Sequence, residues 1–133
     1  MTTPNYLAIF NDHFIEFIDD VISVFPENVD LLAAKNGLIM LKRANPKLLI
    51  SKFYLNFVAK FRPQIDAGDL DFFTKKDYNG EVKEYQLSDK ISESIDKLRE
   101  PIRIMGDSDK AKSVQYVQNL SKLAELYNSV HPL

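Results

Sequence analysis

The stretch "NPKLLISKFYLNFVAKF" (residues 45–61) decides the fold. Leu48, Leu49, Ile50, Phe53, Tyr54, Leu55, Phe57, Val58 and Phe61 point nearly all round a helical axis, and a helix apolar on most sides is a buried one. Asn45 is a good cap residue and Pro46 suits a first helical position, so a helix is expected from Asn45 to about Phe61, at the centre of the molecule. Pro63 should kink or end it, and Gly68 should close the next short piece as a C-terminal cap.

Outward from this hub, helical punctuation continues in both directions. Upstream, "FNDHFIEFIDDVISVFP" (residues 10–26) places Phe10, Phe14, Phe17, Ile18 and Val21 at steps of three and four, with Asp12, Glu16, Asp19 and Asp20 on the far side. A Thr cap and Pro4 open this helix, and Pro26 marks its end. A second helix is expected from about Asn28 to Ala44, where Ala33, Ala34 and Gly37 invite close approach of a neighbour. Downstream, Ser88 caps a helix carrying Ile91, Ile95, Leu98, Ile102 and Met105, which Pro101 should bend or break. Gly106 ends it, and Asp107 or Ser108 caps a last helix with Val114, Val117, Leu120, Leu123, Ala124 and Tyr127 inward. Between them lies "GDLDFFTKKDYNGEVKEYQ" (residues 68–86), the least regular part. Asn79-Gly80 offers a hairpin turn there, with a loop as the alternative because its flanks alternate poorly. The expectation is an all-α fold: one compact bundle of five to seven helices, a single domain over residues 1–133, with at most a small hairpin near Asn79-Gly80.

Composition narrows the chemistry. The chain is 45% hydrophobic and 27% charged, a globular balance. With no Cys, disulfides and thiolate chemistry are excluded, and a reducing intracellular setting is expected. No Lys or Arg precedes Lys35, so the start lacks the basic region of a signal peptide. Lys52 and Lys60 interrupt the most apolar run, so no membrane span is expected.

Charge is strongly segregated. Residues 1–34 hold Asp12, Glu16, Asp19, Asp20, Glu27 and Asp30 without a base. Residues 35–62 hold Lys35, Lys42, Arg43, Lys47, Lys52, Lys60 and Arg62 without an acid; the three blocks carry −6, +7 and −3, for a net −2. The acidic first helix and the basic third could attract each other. Alternatively the block faces a protein partner, or Lys42, Arg43, Lys47 and Lys52 track the phosphates of a nucleic acid.

Catalytic constellations are not built by these residues. His13 and Glu16 share a helix face, but a zinc site needs a third protein ligand, and the second His lies near the chain end. A Ser-His pair would need a third group to orient the base. Gly37, Gly68, Gly80 and Gly106 are too far apart for a dinucleotide fingerprint or a P-loop. No catalytic residue, cofactor or metal is therefore expected. Phe72, Phe73, Tyr78 and Tyr85 in the irregular segment either fold back on the core or anchor a partner. The candidate partner surface is Lys42, Arg43, Lys47, Lys52, Phe72, Phe73 and Tyr78.

Five stretches, "FNDHFIEFIDDVISVFPENVDLLAAKN", "RANPKLLI", "GDLDFFTKKDY", "DKLREPIRIMG" and "YVQNLSKLAELYN", span most of the chain. Together they resemble a group of short, uncharacterised helical proteins of large nucleocytoplasmic DNA viruses. The resemblance implies a viral origin and a place in the virion or the host-cell cytoplasm; it carries no reaction and no functional residue. The functional expectation is a non-enzymatic structural or protein-interaction protein, a minor virion or capsid-associated component, whose partner is a viral protein or a second copy. The alternative is a nucleic-acid-associated factor using the basic segment 35–62.

Overall fold

A computed structural model describes residues 5–74 and 89–132. Asn79-Gly80, Tyr78, Tyr85 and the Ser88 cap lie outside the described residues. Among the described residues every regular element is a helix, and the chain folds as an all-α bundle. In order these are α1 (Tyr6–Val24), α2 (Val29–Ala44), α3 (Leu48–Phe53), a π turn (Tyr54–Val58) that leads without a break into α4 (Ala59–Asp66), α5 (Asp71–Thr74), α6 (Asp89–Ile104) and α7 (Asp107–Val130).

The helix starts are chemically specific. The side chain of Asn5, not a Thr, caps α1 by accepting a hydrogen bond from the Ala8 amide at 3.1 Å. Asn28 caps α2, accepting from the amides of Asp30 and Leu31 at 3.0 and 3.2 Å. Gly106 occupies the cap position of α7 with no side-chain bond, and Asp107 is already helical; with Asp109 it sets negative charge against the dipole of the first turn. α6 runs through Pro101 rather than breaking there, and the Met105 amide donates to the Pro101 carbonyl at 3.1 Å.

The hub expected from Asn45 to Phe61 differs from the sequence reading in two ways. Asn45 ends α2 instead of starting α3, its amide donating to the Leu41 carbonyl at 2.8 Å, and the next helix begins at Leu48. The hub also buries one face only: Leu49, Ile50, Phe53, Phe57 and Val58 are inside, whereas Leu55 is 46% exposed. The cause is the π turn, marked by the Ala59 amide donating to the carbonyl of Tyr54, five residues back. Regular α winding at 3.6 residues per turn would set Val58 about 180° from Leu49. A π turn advances only about 82° per residue, which brings Val58 to within about 90° of Leu49. One wide-wound turn thus gathers scattered apolar positions onto a single face. Pro63, which has no amide hydrogen and a ring that crowds the preceding turn, then kinks α4, leaving Phe61 at φ −123°, ψ 28°. Gly68, at φ +75°, closes α4: its amide donates to Ile65 and that of Asp69 to Gln64.

The centre belongs to α1, which touches α2, α3, α6 and α7. Its Phe10, Phe14, Phe17, Ile18 and Val21 are buried. Phe53 meets Phe10 edge-on at 5.4 Å and Phe14 at 6.0 Å, and Phe57 continues the chain of rings at 5.7 Å; such pairs add about 0.5–1.5 kcal/mol each beyond burial. The α3–α4 rod runs antiparallel to α7. Tyr54 Oη accepts from Asn128, Arg62 pairs with Glu125, and Gln118 donates to the Ile65 carbonyl. α2 lies against α6 so closely that a Cβ at Gly37 would sit 3.1 Å from Ser94 Oγ, the close approach that the small residues announced.

Among the described residues two polar side chains, Asn11 and Ser113, sit wholly inside this core. Asn11, 2% exposed, donates from Nδ2 to the Pro46 carbonyl at 3.0 Å and so ties α1 to the turn that starts α3. Asn11→Ala removes this bond and leaves space where a wholly buried side chain stood, and urea unfolding is expected to show a loss of about 1–3 kcal/mol; an unchanged midpoint would show that the tie is idle. Beneath the π turn lies an apolar cavity of ≈ 40 Å³, lined by Phe14, Phe53, Phe57, Ile65, Phe73 and Val117 among others. Val117→Ile extends a methyl towards this space and should raise stability by about 0.8 kcal/mol, a gain that a lower urea midpoint would contradict.

Candidate functional site

Among the described residues, the candidate bases are spread over the end of α2, the turn after it and α3. Lys42 Nζ pairs with Asp12 at 2.6 Å, and Lys35 pairs with Asp19 at 2.6 Å. These two contacts lie in one antiparallel register, so acidic α1 meets a basic rim on α2 rather than on the third helix. Arg62 is held by Asp66 and Glu125. Arg43 and Lys47 are exposed at the end of α2 and in the turn after it, and Lys52 is half-buried on α3. Tyr78 lies outside the described residues, as does the side chain of Phe72.

Phe73 is half-buried and packs against the core. Its ring meets Phe57 edge-on at 6.2 Å and lines the apolar cavity. Arg99 of α6, 8% exposed, stacks its guanidinium 4.7 Å from the Phe73 ring and donates to the Phe73 carbonyl at 3.1 Å. Burial pushes the Arg99 pKa down to about 9, which leaves it charged at neutral pH; Asp96, 2.8 Å from its Nε, is itself raised by burial. Arg99 therefore clamps α5 onto α6.

The His13 cluster is a helix–helix contact. His13 Nδ1 lies 3.5 Å from Glu16 and its ring 4.9 Å from that of Tyr116, which also stacks on Phe17 at 5.3 Å. Tyr116 Oη donates to Glu16 at 3.3 Å. Among the described residues no three His, Asp or Glu side chains gather to hold a metal ion, and no helix is long and apolar enough to cross a membrane.

What the structure does present is an open helix face. The inward stripe of α2 is Leu31, Ala34 and Leu38, all buried. On its opposite side Val29 is 73% exposed, Met40 63% and Leu32 43%. Asn36 and Arg43 are exposed between and beyond them, and Ile39 is half-buried at the margin. Val29, Leu32, Asn36, Ile39 and Arg43 follow steps of three and four, the spacing of a two-heptad seam with a polar Asn at its middle. The face is rigid, because the other side of α2 is locked by Gly37 against α6 and by two ion pairs to α1. At its start it adjoins an open groove of ≈ 490 Å³ between α2 and α6, lined by Phe25, Asp30, Lys97, Pro101 and Ile104 among others. Sequence reading singled out Ala33, Ala34 and Gly37 in this helix and assigned no role to Val29, Leu32 or Met40; the available signal was that α2 carries apolar residues on two sides while one side suffices to bury it.

Comparison with protein-family models, with curated proteins and with solved structures returned no match to this chain.

The Tyr116 contact has a pH consequence. Burial first, then the negative charges of Glu16 and Asp20, hold its pKa above the ordinary 10.0. A raised folded pKa means that the tyrosine's contribution is complete below the unfolded value and is lost as pH rises past it. Tyr116→Phe should therefore lose less stability than the parent protein between neutral and strongly alkaline pH in urea titrations; parallel losses would show that Tyr116 titrates as if unfolded.

Proposed function

We propose that this protein is a non-enzymatic interaction protein that receives a helical protein partner along the outer face of α2. The observation that carries the reading is the exposed apolar seam on a helix immobilised from behind. A monomer gains nothing by showing Val29 and Met40 to water, whereas contiguous exposed apolar surface rimmed by polar groups is what docking sites present. A helix laid into such a face is read through anchors at i, i+3 and i+7, the spacing offered here. His13 supports the non-enzymatic part, since Glu16 and Tyr116 engage it in joining α1 to α7. The resemblance to proteins of large nucleocytoplasmic DNA viruses supports placing it in the virion or infected-cell cytoplasm, as a minor virion or capsid-associated component.

A photo-crosslinking residue in place of Met40 tests this in cells. Discrete cross-linked products are expected from position 40 and not from Lys122, an exposed position on α7. Equal labelling from both positions, or none from position 40, would remove the proposal.

A further inference from the structure

We infer that the partner seated on the outer face of α2 is a second copy of this chain, its α2 running antiparallel to the first. The inference rests on the docking reading above and adds the occupant and its direction. Charge along α2 is what selects it. Glu27 and Asp30 are exposed at the start of the helix; Arg43 and Lys47 are exposed at its end, and none of the four has an ion pair among the described residues. The other two bases of α2, Lys35 and Lys42, are already held by Asp19 and Asp12 of α1. The unpaired charge of this surface is therefore polarised end to end.

A second copy laid parallel would set Arg43 against Arg43 and Glu27 against Glu27, which is repulsive at both ends. Laid antiparallel about a two-fold axis at Asn36, the second copy's Arg43 and Lys47 approach Glu27, with Asp30 adding negative charge at the flank, and the same contact recurs at the other end. The helix dipoles also oppose favourably in this arrangement. Leu32 then faces the second copy's Met40, and Val29 lies under the aliphatic stem of its Arg43. The two Asn36 amides face each other across the axis, where each can donate to the other's carbonyl oxygen, so the one polar group of the seam is satisfied by its own copy. The helix is about 24 Å long, so the area covered falls at the small end of specific interfaces and the dimer is a weak, reversible one.

Sedimentation of the whole chain from about 10 µM to about 1 mM should show a concentration-dependent monomer–dimer equilibrium, as an interface of this size predicts. Met40→Glu should move the equilibrium towards monomer by more than about tenfold while leaving the urea midpoint unchanged, since an exposed site contributes little to folding. Arg43→Glu should weaken the dimer about tenfold, and Glu27→Lys combined with Arg43→Glu should recover it to within about threefold, the reciprocity that opposed ends require. A monomer throughout the range, or a dimer indifferent to Met40→Glu, overturns the inference. An Arg43→Glu protein that associates as well as the parent overturns the antiparallel direction. The crosslinker at position 40 separates the two readings: a product of twice the chain mass supports the second copy. A product of any other single mass sinks the second copy and leaves the docking face standing, whereas no product sinks both.

Discussion

The structure depends on one extra residue wound into Tyr54–Val58. Without it, Val58 would leave the face shared by Leu49, Ile50, Phe53 and Phe57, and the rod would have to bury two sides in a bundle that covers only one. With it, Phe53 sits edge-on between Phe10 and Phe14, and Phe57 carries the ring chain on to Phe73 and α5. The π turn, the kink at Pro63 and the left-handed Gly68 form a sequence of three backbone departures in fifteen residues. Together they fold the rod back along α7, which binds it through Asn128, Glu125 and Gln118.

Electrostatics plays a secondary part that clarifies the segregated sequence. The acidic block and the basic block meet at the α1–α2 edge, where Asp12 and Asp19 face Lys42 and Lys35 in one register. Such half-exposed pairs contribute at most about 1 kcal/mol each to stability, so their role is chiefly to fix how α2 lies on α1. By absorbing those bases they leave Arg43 and Lys47 as the cationic end of α2, beside an apolar seam rather than within a continuous basic track. That arrangement is the one on which a protein partner is proposed, since phosphate tracking needs cations spread along a path.

Much of this fold was readable from residues alone. α1 and α7 follow from helical spacing of apolar side chains, α2 falls where Asn28 to Ala44 was expected, and Gly37 and Gly68 had the roles their chemistry indicates. The hub was legible as a helix but not as a one-sided one, because a fixed period cannot announce a turn of different pitch. Asn45 carried equally good credentials as a stop and as a start, and only the Leu41 carbonyl decides between them. Asn11 was invisible as a core residue, since its partner is a backbone carbonyl 35 positions away. Phe73 looked like a loop aromatic until α6 supplied Arg99 to cover it. The outer face of α2 was illegible for the opposite reason: apolar residues at helical spacing mark a stripe, but only the folded packing settles which of two stripes is covered.

The unfilled space under the π turn has one more consequence. It is dry in character, lined by rings and branched aliphatic groups, and it vanishes when the chain opens. Compression favours the opened chain by the void volume that opening eliminates, and the contacts around Phe57 and Val117 border that void. Squeezing, more than heating, should pick out this seam between the kinked rod and α7 as the place where the bundle first yields.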